Sequence, residues 1–231
     1  MPMYPANITR AEADRRADEL QTRSYEVLVD VSGRVADAQE DATGTTFVSR
    51  SKISFTSEAV DSYVNLIADR LISASLDGEP LPEDAFADHK LYFTAGPGEH
   101  ELEVVAVCRY SRTGEGLHRF VDPVDGRVYL YTQLETADAR RVYACFEQPD
   151  LKATFQLTVI APETWTVLSN SPAVAPTPED EGLGRFTFEA TPPISTYITA
   201  IVAGEFHTVT DSYAGKAAAI PLSISCRQSL V

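Results

Sequence analysis

Apolar and polar side chains alternate along most of the chain, and this period of two is typical of half-buried β-strands. The clearest alternation covers residues 24–31, where Tyr25 and the next three odd-numbered positions are apolar, and residues 45–55 repeat it. Strands are also predicted around Tyr129 and Tyr131 and at residues 63–68, 71–76, 90–93, 100–110, 142–146, 153–159, 165–169, 185–189, 195–203, 207–213 and 217–225. The glycine-rich residues 111–127 are expected to form a long loop. Short strands separated by turns predict a mostly β fold, an antiparallel sandwich.

One short helix is predicted, at the N-terminus. Thr9 followed by Glu12 matches a capping box, in which the threonine side chain accepts a hydrogen bond from the glutamate amide. Asn7 is a rival cap, and several alanines favour a helix that continues to about residue 21. Because its apolar face is thin, we expect a surface helix tethered to one end of the β domain.

Composition limits the class of partner. The 231 residues allow one large domain, or one domain and a fragment. The formal net charge of −15 argues against a nucleic-acid partner, which would require a basic patch. The acidity is compatible with a cavity that prefers cationic ligands, although solubility alone is the simpler explanation of the bulk charge.

The cysteines and the apolar runs indicate in which cellular compartment the protein is expected. Cys108, Cys145 and Cys226 are odd in number and widely spaced, so no disulfide framework is predicted and a reducing compartment fits. The first two are expected to be buried as small hydrophobic residues. The N-terminal residues lack the apolar core of a signal peptide, and no apolar run is long enough to span a membrane. We therefore expect a cytoplasmic protein without a membrane partner.

The four histidines give no pattern of metal ligands. His100 and Glu101 match the start of the His-Glu-x-x-His helix of zinc sites, but Val104 stands where the second histidine would be. The segment also alternates like a strand, and a strand does not place those two positions as the zinc helix does. His100 is therefore expected to be a surface residue at the start of a strand, and the chain is predicted to assemble no metal site.

Gln133 and Glu135 are the candidate binding residues. They lie in a stretch where charged groups are dense between apolar runs, and their spacing of two projects both from one face of an extended chain. A carboxylate beside an amide can hold an ammonium group by charge and by directed hydrogen bonds. Two structural alternatives remain open, a polar edge strand or pairing of Glu135 with Arg140 or Arg141.

The same stretch carries the sequence pattern of a known family. Residues 131–159 are YTQLETADARRVYACFEQPDLKATFQLTV, with a Gln-x-Glu segment, Ala-Arg-Arg, an acidic-x-Pro turn and Lys-Ala-x-Phe. They closely resemble the N-terminal domain of zinc aminopeptidases of the aminopeptidase N family. The opening NITRAEADRRADEL and the later PPISTYITAIVAGEF are similar to the same domain, so the resemblance covers nearly the whole chain.

The resemblance implies an antiparallel, saddle-like β domain that packs against a catalytic domain holding zinc. It implies an N-terminal domain at residues 1–206 and, at residues 207–231, the first strands of a catalytic domain that is truncated in this chain. Gln133 would line the pocket for the first side chain of the substrate, and Glu135 would help bind the free α-amino group of a peptide. Thr136 stands where many members have proline. The family's catalytic motifs do not occur, so no catalytic residue and no bound zinc are expected in this chain.

Three functions follow from these observations. The preferred interpretation is the substrate-recognition domain of a zinc aminopeptidase that removes N-terminal residues from peptides, inactive on its own. The alternative is a stand-alone β-sandwich binding module without catalytic activity, because the chain holds no complete catalytic set. A weaker one is a catalytically silent relative used for protein–protein contact. The sequence beyond Val231 would distinguish them, since an aminopeptidase continues into a His-Glu-x-x-His helix.

Overall fold

Strands form where apolar and polar residues alternate, and they carry most of the fold. The computed structural model describes residues 8–33, 44–58, 60–180 and 182–231. In these ranges one α-helix, α1 at Arg10–Glu19, precedes the strands. The strands are β1 Leu20–Asp30, β2 Thr46–Ser57, β3 Val60–Asn65, β4 Arg70–Leu76, β5 Glu79–Pro80, β6 Phe86–Ala87, β7 Lys90–Ala95, β8 Gly98–Arg109, β9 Gly116–Val121, β10 Val128–Gln133, β11 Thr154–Pro162, β12 Thr166–Ser169, β13 Thr177–Pro178, β14 Leu183–Thr187, β15 Ile201–Gly204, β16 Phe206–Ala214 and β17 Ala219–Arg227. Short 3₁₀ helices lie at Glu83–Ala85, Ala139–Arg141, Thr196–Ile198 and Gln228–Leu230.

The described strands form four sheets. An eight-stranded sheet has the order β13-β14-β11-β1-β2-β8-β4-β5, and a four-stranded sheet has the order β12-β15-β10-β9. A three-stranded sheet, β3-β7-β6, and the β16–β17 hairpin complete the set. Neighbours run antiparallel apart from β1 and β11, which pair in parallel. The predicted mostly β fold with antiparallel sheets and a short N-terminal helix is confirmed, and the parallel pair is an addition that alternation alone does not reveal.

An aromatic cluster fills the core. The rings of Tyr25 in β1 and Phe155 in β11 stack with their centroids 4.5 Å apart. The Tyr143 ring lies 6.3 Å from the first and 6.2 Å from the second, and all three side chains are buried. Such aromatic pairs contribute about 1 kcal/mol each beyond the area they bury. The segment that carries Tyr143 is therefore docked against the large sheet.

That segment corrects one prediction. Residues 142–146 were expected to form a strand, but they follow the 3₁₀ helix Ala139–Arg141, and only Cys145 makes an isolated bridge, to Asn65. All five side chains are buried. A short, wholly apolar run is compatible with a strand or with an irregular buried segment, and periodicity does not separate the two.

Two further segments differ from the prediction. The expected loop at residues 111–127 contains β9, because its glycines and proline mark turns at both ends of a strand rather than one long loop. The expected strand at residues 195–203 begins as the 3₁₀ helix Thr196–Ile198, and only its end becomes β15. In this segment Thr199 Oγ1 donates to the Thr196 carbonyl at 2.8 Å. A side-chain hydroxyl therefore takes the place of a backbone donor from a neighbouring strand. The predicted hairpin at residues 207–213 and 217–225 is confirmed as β16 and β17.

The cap of α1 is the predicted one. Thr9 Oγ1 accepts a hydrogen bond from the Glu12 amide at 3.2 Å, and the rival cap, Asn7, lies outside the described residues. The helix ends at Glu19 rather than near residue 21, because Leu20 already has extended backbone angles and starts β1. The cap therefore sets the start of the helix, and the strand sets its end.

Polar contacts, rather than an apolar stripe, hold α1 on the domain. The Arg16 side chain is buried, and its Nη2 donates to the Tyr63 carbonyl at 3.0 Å. The guanidinium carbon lies 4.4 Å from the centre of the Tyr63 ring and 5.6 Å from that of Phe146. Gln148 Nε2 donates to the Ala13 carbonyl at 3.0 Å. The expected surface helix is thus tied down by one buried arginine and one glutamine.

Replacing Arg16 by alanine is expected to lower the free energy of unfolding by about 3 kcal/mol, because it removes buried packing and leaves the Tyr63 carbonyl without a donor. Arg16→Met, which keeps an apolar stem, should lose less. Urea unfolding measures both. The control is Arg15→Ala, whose partly exposed ion pair with Glu19 should contribute below about 0.5 kcal/mol. Equal losses in Arg16→Ala and Arg15→Ala would contradict the anchoring role.

His100 lies near the start of β8, as predicted, but its side chain is largely covered, at 12% exposure. Its Nδ1 lies 2.7 Å from Asp77 Oδ2, and its Nε2 lies 2.8 Å from the Gly96 carbonyl oxygen. Burial lowers the pKa of His100, but the hydrogen bonds to Asp77 and Gly96 outweigh it and hold the pKa above its ordinary value. The fold thus favours the imidazolium form of His100 more than water does.

A raised folded pKa stabilises the protein below the unfolded histidine pKa of about 6.5, and this contribution is lost as the pH rises through the folded value. His100→Gln is therefore expected to reduce the free energy of unfolding more at about pH 5.5 than at about pH 8.5. Urea unfolding at the two pH values measures the difference. His207→Gln, in β16, controls for loss of a histidine elsewhere. A His100→Gln loss that is independent of pH would refute the charged pairing.

Candidate functional site

Gln133 and Glu135 lie where β10 ends. Gln133 is the last residue of the strand, and the buried Leu134 separates it from Glu135. Both candidate residues are exposed, so they project on the solvent side of the buried leucine. The Glu135 amide donates to Gln133 Oε1 at 3.3 Å, and the peptide bond between Glu135 and Thr136 is cis. The two side chains therefore belong to one local unit.

The Glu135 carboxylate has no cationic partner within 4.0 Å in the described part of the chain. Arg141 Nε instead donates to Asp138 Oδ1 at 2.6 Å, and the Arg140 amide donates to Glu147 Oε2 at 2.8 Å. Glu135 therefore pairs with neither Arg140 nor Arg141. Nor is β10 an edge strand, since it lies between β15 and β9. An exposed carboxylate without a cation beside it keeps its charge available to a ligand.

The outer face of the four-stranded sheet continues from Gln133. The strand register places Gln133 opposite Gly116 and Tyr131 opposite His118. The His118 and Tyr131 rings lie 4.8 Å apart. Tyr131 is 42% exposed, whereas Leu130, on the other side of the strand, is 1% exposed. The sheet therefore presents aromatic groups to solvent directly beside the two candidate residues.

His118 was missed by the sequence analysis, which assigned its segment to a loop. The residues of β9 are Gly-Leu-His-Arg-Phe-Val, and they show no regular alternation between apolar and polar side chains. Glycines precede the strand, and a proline and a glycine follow it. No local signal therefore indicated a strand, and the pairing with β10 is a tertiary effect.

The other end of this outer face is covered by the base of the β16–β17 hairpin. The Gln228 amide donates to Tyr129 Oη at 3.0 Å. The Asp122 carboxylate accepts hydrogen bonds from Arg227 Nη1 at 2.9 Å and from Ser229 Oγ at 2.6 Å. The last residues of the chain are thus anchored on the turn between β9 and β10.

Beyond this base the hairpin has one polar and one apolar face. Opposed pairs such as Thr210 and Ser223 form the polar face, and pairs such as Val209 and Ile224 form the apolar face. The large apolar side chains are exposed, namely Val209, Tyr213, Ile220, Leu222 and Ile224. A two-stranded hairpin is marginal without a packed face, so this surface is suited to packing against another part of a protein.

A buried carboxylate supports the irregular segment that follows the site. Glu147 Oε2 accepts from the Arg140 amide and its Oε1 accepts from Thr196 Oγ1, both at 2.8 Å. Burial raises the pKa of Glu147, and these hydrogen bonds oppose the rise. Burial, and next the charge of Glu147, raise the pKa of Cys145 well above its ordinary value, so this residue stays a thiol. Cys108 and Cys145 are buried as small hydrophobic residues, as expected.

Groups of metal ligands and membrane-spanning helices are absent from the described ranges. No three His, Cys, Asp or Glu side chains form a group there that could hold a metal ion. His100, the one local match to a zinc motif, pairs with Asp77. In those ranges no helix combines the length and the apolar character needed to cross a membrane.

Comparison with known proteins places these features in a family. The family profile described as "Peptidase M1 N-terminal domain" matches residues 37–198. "Aminopeptidase N" of Streptomyces lividans is 46% identical over 230 residues, which are 99% of this chain and 26% of that protein. "Aminopeptidase N" of Bos taurus is 40% identical over 48% of this chain and 12% of that protein. The chain thus spans about a quarter of the length of the Streptomyces relative.

A solved structure shares the fold. It is described as "Crystal structure of Legionella pneumophila aminopeptidase A in complex with aspartic acid", and it matches with a TM-score of 0.77. The match covers 91% of this chain and 24% of that chain, at 18% sequence identity. At this identity the likeness concerns the fold alone. The matched part is about a quarter of that longer chain.

Proposed function

The chain belongs to the Peptidase M1 N-terminal domain family, and we propose that it is the N-terminal substrate-recognition domain of a zinc aminopeptidase that removes N-terminal residues from peptides. The aminopeptidase names of its relatives support the peptidase, and the identity of 46% to one of them extends over nearly the whole chain. The exposed Glu135 carboxylate, without a cation beside it in the described ranges, is the observation that carries the recognition role.

Zinc belongs to the proposal only as a group held outside this chain. The described residues bring no three potential ligands together, so they do not fit a zinc site. The proposal therefore gives this chain no step that involves the metal. Its contribution is to bind and orient the substrate.

Glu135 is proposed to bind the free α-ammonium group of the peptide. An ammonium group carries a positive charge and three donors, and a carboxylate accepts such hydrogen bonds at roughly twice the strength of neutral ones. The carboxylate is exposed and forms no ion pair within the described chain, so binding would not have to break one. The peptide N-terminus is thus the proposed ligand of this residue.

Gln133 is proposed to line the pocket for the first side chain of the substrate. Its Oε1 is engaged by the Glu135 amide, which fixes the side chain next to the proposed ammonium site. The exposed Tyr131 ring follows on the same face, two residues back. Together these groups would form one wall of a site whose other walls lie outside this chain.

The domain boundary is part of the proposal. Residues 1–206 would form the recognition domain, and residues 207–231 would be the first strands of a catalytic domain that packs against it. The exposed apolar face of the β16–β17 hairpin supports this division, because the described residues leave it without a packing partner. The cytoplasmic location and the absence of nucleic-acid and membrane partners stay predictions of the same proposal.

A stand-alone binding module is the second candidate. It is compatible with the described residues, which bring no three potential metal ligands together. The identity of 46% to the Streptomyces aminopeptidase over 99% of this chain favours the first candidate. Sequencing the reading frame past Val231 separates them, because an aminopeptidase would continue into a His-Glu-x-x-His segment.

In the full-length protein, Glu135→Gln is expected to lower kcat/KM for peptides with a free α-amino group by about 10- to 100-fold, the effect of losing a charged hydrogen bond. Steady-state kinetics with aminoacyl-arylamides measures it. Glu163→Gln, at an exposed turn before β12, is the matched control and should leave kcat/KM unchanged. An unchanged kcat/KM in Glu135→Gln, with an unchanged melting temperature, would refute the role of Glu135.

The 231-residue chain alone is expected to cleave no aminoacyl-arylamide and to hold no stoichiometric zinc. The reason is that its described residues assemble no set of metal ligands. Arylamide turnover and metal analysis of the purified chain measure both properties, with the full-length protein as the positive control. Turnover by the chain that a chelator abolishes would overturn the assignment of the metal to another part.

A further inference from the structure

A cavity of about 570 Å³ lies at the end of β8, next to β9 and the 3₁₀ helix Ala139–Arg141. Neither Gln133 nor Glu135 lines it. The charged side chains that line it are Asp69, Arg109, Arg112, Glu115, Arg119 and Arg141. Four arginines therefore face two carboxylates, in a protein whose formal net charge is −15. A cationic cavity is the opposite of what the acidic composition favours.

Two of the arginines are already paired. Arg109 donates to Asp69, with Nε 3.2 Å from Oδ1 and Nη2 2.5 Å from Oδ2. Arg141 Nη2 lies 4.0 Å from Glu115 Oε1, and its Nε donates to Asp138 at 2.6 Å. Both carboxylates of the lining are thus engaged by an arginine, and among the described residues of the lining no carboxylate is left to pair with the other two arginines.

Arg112 and Arg119 form no ion pair or hydrogen bond through their guanidinium groups within the described ranges. Both belong to residues 111–119, a short loop that closes where the Arg119 amide donates to the Ser111 carbonyl at 2.9 Å. The Arg119 guanidinium carbon lies 6.0 Å from the centre of the Tyr110 ring, which supports it from one side. Two free guanidinium groups therefore border one concave space.

Gly44 leaves room for one of these groups. A Cβ atom at this position would lie 3.1 Å from Arg119 Nη2, and the backbone has a positive φ of 58°, which favours glycine. A side chain here would therefore crowd the guanidinium group of Arg119.

We propose that this cavity binds a small, multiply charged oxyanion, such as phosphate or a polycarboxylate, between Arg112 and Arg119. Guanidinium groups offer donors in a planar fork that matches the oxygens of a phosphate or carboxylate group, and such bonds are strong because both partners are charged. The cavity volume is within the range of small-molecule sites. The inference does not depend on the proposed peptidase function.

Inorganic phosphate is the probe for the test, and the full-length protein is titrated by calorimetry with sodium chloride adjusted to hold the ionic strength constant. Saturable binding with a Kd of about 1 mM is expected. Arg112→Gln and Arg119→Gln should each raise the Kd at least about tenfold, because each removes a charged hydrogen-bonding group. Arg10→Gln, at a fully exposed position on α1, is the matched control and should keep the wild-type Kd.

A second titration with citrate identifies the source of the oxyanion. Tighter binding of citrate would indicate a polycarboxylate, and tighter binding of phosphate would indicate a phosphate compound. In either case Arg112→Gln must weaken the binding. Arg112 is exposed, so its variant is expected to fold even where Arg119→Gln does not. No saturable binding to the wild-type protein, or equal binding to Arg112→Gln and Arg10→Gln, would overturn the proposal.

Discussion

The fold depends on satisfying the backbone of an irregular segment buried between strands. The Ala144 amide donates to Ser51 Oγ at 3.0 Å, and the Phe146 amide donates to Tyr25 Oη at 3.1 Å. A buried amide without a partner destabilises a protein by about 1–3 kcal/mol, so β1 and β2 must supply side-chain acceptors where no strand ladder exists. This need explains why a serine and a tyrosine hydroxyl are directed into a core of aromatic rings. The segment is irregular, yet its amides have fixed partners.

The candidate site takes its position from this segment. The chain passes from Gln133 at the end of β10 into the 3₁₀ helix, where Arg141 packs against the start of β9. Gly116, with φ of 67°, permits the contact, because a Cβ atom there would lie 2.9 Å from the Arg141 Cβ. Gly116 is also the residue opposite Gln133. Gly116 thus allows the buried segment to lie beside the end of β10, where the exposed Gln133 side chain is located.

The sequence predicts regular strands well and irregular burial poorly. Alternation located β1 and β2 and their inward faces, including Ser51, because a half-buried strand imposes a period of two. Residues 142–146 were assigned wrongly, since an all-apolar run has no period to measure. Gln133 and Glu135 were identified by spacing and by family resemblance, and both were found exposed beside each other. The arginine cavity was not predicted, because residues 111–127 were assigned to a loop and the pairing of β9 with β10 gave no local signal.

The register of β9 on β10 separates two opposite charge environments. Arg119 lies opposite Leu130, whose side chain is buried, whereas its neighbour His118 lies opposite the exposed Tyr131. Arg119 therefore projects to the inner side of the sheet, while the outer side carries Gln133. A shift of one residue would turn every side chain of β9 to the other face and bring a free guanidinium group onto the side of the Glu135 carboxylate. The pairing register, rather than distance along the chain, thus turns Arg119 away from the face that carries Gln133.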